Sequence, residues 1–237
     1  MTIKGLLPAK ITASFAHALL SVLMGATALL SFSFSAHAQT FAQTRAETDT
    51  VSRIAFGSCV HQDRPQPIWE AVNAANPDVF VFLGDNIYGD SEDPAVLQAK
   101  YQQLGAVPGF QQLRGQSDVV AMWDDHDYGV NDGGIEFQAK EASRQLMLDF
   151  WGEPADSERR VRPDGIYTSY LYGEPGQTVQ LILLDLRWNR TPLLQIADAD
   201  KRATRLAQDM GPYDASLEPG ATMLGEAQWQ WFQQQLQ

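Results

Sequence analysis

Val79-Phe80-Val81-Phe82-Leu83-Gly84-Asp85-Asn86-Ile87-Tyr88-Gly89-Asp90 is the stretch on which the fold turns. Five apolar residues, four of them β-branched or aromatic, run without alternation and stop at a glycine and an acid. A strand with one solvated face alternates, so a continuous run predicts a strand covered on both faces. Working outward, Asp118 to Trp123 is a strand candidate that ends in Asp124-Asp125-His126-Asp127, and Val51 to Gly57 is another that ends in Ser58-Cys59. Ile166 to Tyr172 and Val179 to Leu186 are two further strand candidates, the second holding another continuous run, Leu181-Ile182-Leu183-Leu184. Helical patterns separate the early strands at Pro67 to Ala75 and Pro94 to Leu104. A longer one, Ile135 to Trp151, sets Ile135, Ala139, Ala142, Leu146 and Phe150 along one face, and Gly225 to Gln237 reads as a last helix running to the end. The order β-α-β-α-β-α-β-β predicts an α/β sandwich whose central sheet is partly parallel.

The 237 residues are 44% hydrophobic and 19% charged, the composition of a globular chain. Lys4 and Lys10 precede an uncharged apolar run from Ile11 to Phe34, followed by Ala36-His37-Ala38. This is the pattern of an export signal cleaved after Ala38; a membrane anchor is the competing reading of the run, and the small-x-small site favours cleavage. Without a twin-Arg pair the expected route is Sec-type, to the periplasm or the outside, with no stable membrane span after cleavage. Residues 39–50 read as a short solvated leader and 51–237 as one domain without repeats. Removing 1–38 takes away two lysines and no acid, so the formal charge goes from -12 to -14, 15 basic against 29 acidic residues. So acidic a surface repels polyanions and excludes a nucleic-acid-binding role unless bound cations reverse the field. Cys59 is the single cysteine, which rules out an intramolecular disulfide.

Three strands end in polar loops, and in open α/β sheets ligands bind beyond the carboxyl ends of the strands. The loops are Gly57-Ser58-Cys59-Val60-His61, Gly84 to Asp90, and Trp123-Asp124-Asp125-His126-Asp127-Tyr128-Gly129-Val130-Asn131-Asp132; a fourth, Asp185-Leu186-Arg187, follows Leu184. Taken singly, an Asp after a strand is a turn former or helix cap. Four carboxylates in one loop repel one another, and a multivalent cation is the usual way to neutralise such a cluster. Gly84 lets the backbone turn sharply while Asp85 projects from a rigid strand end, as a metal-bridging carboxylate must. Two metals about 3.5–4 Å apart can clamp a phosphoryl group and activate water, which makes phosphoester hydrolysis the natural chemistry. His126 is placed to donate a proton to a leaving oxygen or to steady developing charge.

At these loops the sequence resembles the PhoD-like family of the calcineurin-type metallophosphoesterases. The segments that carry the resemblance are Phe56-Gly57-Ser58-Cys59, Phe82 to Asp90, Trp123 to Asp127, Leu184-Asp185-Leu186-Arg187 and Leu224-Gly225-Glu226-Ala227-Gln228-Trp229. The resemblance implies a four-layer α/β/β/α sandwich and a site holding ferric iron (Fe3+) and calcium (Ca2+). By carry-over, Cys59, Asp85 and Tyr88 are iron ligands, with Asp85 shared with calcium. Asp125 and Asn131 are the calcium-side candidates. His126 falls at the family's catalytic histidine; Arg187 is a candidate substrate contact, with a structural salt bridge as its competing role. Phosphate esters are the implied substrates. Members continue past the Gly225 helix to a Gly-Asp-x-His segment with further ligands, and nothing after Asp185 resembles it. The expectation is therefore an exported phosphoesterase, of phosphodiesterase or alkaline phosphatase type, truncated at its C-terminus and active as a longer polypeptide. The alternative is an inactive or merely cation-binding remnant.

Overall fold

The computed structural model describes residues 50–215 and 218–237; the expected export signal, its cleavage site and the leader up to residue 49 lie outside the described residues. Strands β1 (Ile54–Gly57), β2 (Val79–Leu83) and β3 (Asp118–Met122) form a parallel sheet in the order β1-β2-β3. β2 lies in the middle and is buried from Val79 to Phe82, as its unbroken apolar run requires. Register is set by Phe56 opposite Val81 and Leu83 opposite Met122. All three strands therefore deliver their loops to one end of the sheet.

The crossovers are helical. Between β1 and β2 runs α1 (Ile68–Ala75), closed by Asn76 in the left-handed region. Between β2 and β3 run α2 (Pro94–Gly105) and α3 (Pro108–Gln116). Asp93 caps α2 by accepting from the Ala95 amide at 2.9 Å, and Pro94 takes the first-turn position where its missing N–H costs nothing. α3 was not anticipated: its nine residues include two glycines and only two large apolar side chains. Tertiary packing overrides that weak local signal. Phe110 lies 5.8 Å, centroid to centroid, from each of Trp69, Phe82 and Trp151, and each such ring contributes about 2–3 kcal/mol of burial.

After β3 comes the single turn α4 (Asp125–Tyr128), then α5 (Lys140–Trp151). The predicted helix from Ile135 begins five residues later than expected: residues 134–137 form a turn closed by the Phe137 amide on the Gly134 carbonyl (3.0 Å), with the Ile135 amide tied to the Arg190 carbonyl (2.8 Å). Its buried face is also a different one: Ser143, Arg144, Met147, Leu148 and Trp151. Ile135 is exposed, and Leu146 and Phe150 are only half-buried. Arg144 takes a core position that an apolar count passes over, donating to the Arg162 carbonyl at 2.6 Å with its guanidinium 4.8 Å from the Trp188 ring.

β4 (Thr168–Tyr172) and β5 (Val179–Leu183) form a separate antiparallel pair. β5 is shorter than predicted and is not covered on both faces: Leu183 is buried, but Val179, Leu181 and Ile182 are intermediate and Gln180 is exposed. Only the face carrying Tyr172 and Leu183 enters the core, where the Tyr172 hydroxyl donates to Asp118 at 2.8 Å. A short ribbon, β6 (Leu194–Gln195) with β7 (Tyr213–Asp214), flanks α6 (Ala199–Leu206), and neither was read from the sequence. The final helix α7 (Glu226–Gln235) stops at Gln235, two residues before the end of the chain. No helix among the described residues is long and apolar enough to cross a membrane.

Candidate metal centre

The loops after β1, β2 and β3 meet through their backbones. The Cys59 amide donates to the Gly84 carbonyl at 3.2 Å and that of Val60 to the Asp85 carbonyl at 2.9 Å. Gly84 sits at φ 104°, and a Cβ there would stand 2.5 Å from the Asp124 Cβ and 2.6 Å from its nitrogen. Only glycine allows the second and third loops to lie this close. Asp127 then binds them together. Its carboxylate is fully buried and accepts from the amides of Asp85 (3.2 Å), Asn86 (3.3 Å) and Asp124 (2.7 Å) and from the Asn86 side chain (2.6 Å). Burial pushes the Asp127 carboxyl well above the ordinary carboxylate range against the pull of those donors.

On this frame Asp85, Asp125 and His126 converge, each offering a ligand atom within 4.8 Å of the others. The Asp85 Oδ1 is buried without a hydrogen-bond partner. Burial, then the charges of Asp125 and Asp124, raise the Asp85 pKa above the usual carboxylate value. Asp125 goes the other way: burial raises it, but the Asp132 amide at 2.7 Å, Arg187 and His126 together hold it low. For His126, burial disfavours the imidazolium, yet the Nδ1 contact to Asp90 Oδ1 at 2.6 Å and the nearby carboxylates outweigh it and leave the pKa raised. Two carboxylates and an imidazole this close, one of the carboxylate oxygens without a partner, make a group able to hold a cation.

The other sequence candidates sit around this group. The Cys59 Sγ is 3.6 Å from Asp85 Oδ2, on a left-handed backbone at φ 61°. Tyr88 stacks on His61 (4.7 Å) and packs at a tilt against His126 (4.3 Å), and burial followed by its hydrogen bond with Cys59 pushes its phenol up. Arg187 is ion-paired with Asp124 and, at 3.5 Å, with Asp125, so its structural role is real. Asn131 is exposed and reaches the group indirectly, donating 2.8 Å to Asp132, whose amide serves Asp125.

Sequence reading missed the residues that hold these in place: Asp90, Asp127, Asp185 and Gln228. Asp185 is fully buried and accepts from Trp123 Nε1 (2.9 Å) and the amides of Ile166 (2.9 Å), Arg187 (2.9 Å) and Trp188 (3.0 Å). The Gln228 amide group pairs with the Asp185 backbone on both sides, at 2.7 and 2.9 Å, tying α7 to the loop that carries Arg187. Their shared signal was a position inside the segments that carry the family resemblance.

With this geometry in hand, a family model described as PhoD-like phosphatase matches residues 54–237. The chain belongs to the PhoD-like phosphatase family. Among solved proteins, one titled "Structure of PhoD" superposes with a TM-score of 0.59 at 16% identity, covering 80% of this chain and 40% of that one. At that identity the likeness concerns the fold, and the chain spans about two fifths of the solved PhoD protein's length. No curated protein matches the chain. Every matched segment of this PhoD-like chain lies within the described sheet, loops and helices apart from residues 216–217.

Proposed function

We propose that this chain carries a metal-dependent phosphoesterase site, of phosphodiesterase or alkaline phosphatase type, on the loops after β1, β2 and β3. The observation that supports it most is the convergence of Asp85, Asp125 and His126, with the Asp85 Oδ1 buried and unpartnered. In this reading Cys59, Asp85 and Tyr88 hold Fe3+, while Asp125 and Asn131 serve Ca2+ with Asp85 shared. Thiolate and phenolate suit the ferric ion, and carboxylate and amide oxygens suit calcium. When bound, such ions supply Lewis acidity toward a phosphoryl oxygen and water activated near neutral pH. The chain's own residues do the rest. His126, its Nδ1 held by Asp90, keeps Nε2 for the leaving oxygen. Arg187, steadied by Asp124 and Asp125, offers its remaining N–H groups to the phosphate of a phosphate-ester substrate.

The same reading places the protein outside the cytoplasm, exported by a Sec-type signal (1–38) and joined by a leader (39–50) to the phosphatase portion (51–237). Packing of α1 and α3 on one face of the parallel sheet, of Tyr172 on the other, and of α7 beside the hairpin through Gln235 and Trp231 supports the α/β/β/α layering. The test is metal analysis of the purified chain together with hydrolysis of a chromogenic phosphodiester, beside Asp85→Ala. Iron and turnover in the wild type, both lost in the variant, is the expected result. Bound metal without turnover reduces the reading to a cation-binding portion, and absence of both removes it.

A further inference from the structure

The described residues of 191–222 (191–215 and 218–222) leave the body of the fold and return to it. Their ends are pinched together, the Thr191 amide donating to the Thr222 carbonyl at 2.9 Å and the Thr222 amide to Thr191 Oγ1 at 3.3 Å. Inside this excursion lies α6, which buries none of its residues, so this helix adds nothing to the core. One side chain reaches back to the candidate site. The Tyr213 hydroxyl donates to Asp132 Oδ2, and Tyr213 is itself held by its strand pairing with Gln195 and by Arg205 Nη2, which donates to its carbonyl at 2.9 Å.

Asp132 is the joint. It stands at φ 57°, in the left-handed region that Asp enters more readily than most residues with a Cβ, and its surroundings hold it there. Three contacts do so: Tyr213 and the Asn131 amide group on Oδ2, and the buried Arg190, whose Nη2 donates to the Asp132 carbonyl. The outcome is one N–H aimed at Asp125 Oδ2 at 2.7 Å, a charge-assisted bond that fixes which way this carboxylate turns. Asn131, the other calcium-side candidate, shares the same Asp132 oxygen.

We propose that Tyr213 is a positioning residue of the metal centre, acting from the 191–222 excursion through Asp132 on Asp125 and Asn131. It touches neither ligand. The inference rests on the reading of Asp125 as a metal ligand, so its test must separate the two. Terbium, a hard oxygen-seeking ion, is titrated into the metal-free full chain and followed by luminescence sensitised through neighbouring aromatic rings. The variants are Tyr213→Phe, Asp132→Ala, the double variant and Asp125→Ala, with thermal unfolding of each metal-free protein alongside.

The expected result is roughly tenfold weaker binding in Tyr213→Phe, the low end of what outer residues of metal sites contribute, with the unfolding midpoint unmoved. The double variant should then bind no more weakly than Asp132→Ala alone, because Tyr213 acts through that residue. Wild-type affinity in Tyr213→Phe, with binding lost in Asp125→Ala, overturns the inference and leaves the metal reading standing. A lowered midpoint with unchanged affinity also overturns it, since Tyr213 would then be structural only. Full affinity in Asp125→Ala overturns both.

Discussion

The residue that does most to hold the loops together is wholly buried beneath them. Asp127 takes four N–H groups from two loops more than thirty residues apart, and an asparagine in its place offers one acceptor oxygen and an unwanted donor. Asp127→Asn should therefore cost about 2–4 kcal/mol, read from urea unfolding, and a cost near that of a surface substitution would refute the assignment. Asp85, Asp125 and His126 were legible because a glycine or a strand end precedes them and acids surround them. Asp127 and Asp90 were not, since sequence spacing carries no record of a partner across the crevice, and an Asp in an acidic loop looks the same whether it binds a cation or three amides. For Asp90 the consequence is a pH effect. A group with a raised folded pKa stabilises the fold fully below its unfolded value, here 6.5, and loses that contribution as pH climbs through the folded value. In the metal-free protein the stability difference between wild type and His126→Gln should shrink over that upward window, and Asp90→Asn should narrow it; a difference flat in pH would contradict the pairing. The Tyr88 assignment has a spectroscopic counterpart. An iron-loaded chain should be violet to red, and Tyr88→Phe should shift or bleach that band, while an unchanged band would dismiss the phenolate ligand.

At the scale of elements, the strands were legible and the helix faces less so. β2 declares itself because an unbroken Val79 to Leu83 run has no amphipathic alternative, whereas α3 exists because Phe110 completes an aromatic cluster that no window of nine residues reveals. The face of α5 was misread for a similar reason: Arg144 is buried by its partners, not by its polarity. The motif at Leu224 to Trp229 was recognisable without its purpose being so. Its purpose is the docking of α7, since Gln228 is fully buried and satisfies both backbone groups of Asp185 as well as the Leu224 carbonyl at 3.2 Å. Gln228→Ala leaves those groups unpaired and a void beside them, a loss of about 3–5 kcal/mol. Urea unfolding should show that loss, and proteolysis should begin near Gly225. A shift below about 0.5 kcal/mol, as for a surface site, would mean that α7 is held by something else.

For the molecule as a whole, the parallel sheet is covered unequally. Register puts Phe56, Val81, Leu83, Val120 and Met122 on one face. Over β3 that face is closed: Val120 and Met122 are buried and the hairpin's Tyr172 bonds Asp118. Over β1 and the last residue of β2 it is open, with Phe56 72% and Leu83 48% exposed, and β1 has no second strand partner among the described residues. An exposed apolar strand at a sheet edge invites pairing with another chain. Against this stands a net charge of -12, whose mutual repulsion keeps molecules apart and is screened by salt. The full chain should therefore scatter more light as salt rises. Phe56→Lys should reduce that association, since edge lysines block strand pairing. The direction discriminates between causes: the lysine lowers the magnitude of the net charge, so if repulsion alone governed association, this variant would associate more readily than the wild type. Less scattering at every salt concentration would locate the contact at β1, and equal or greater scattering would exclude it.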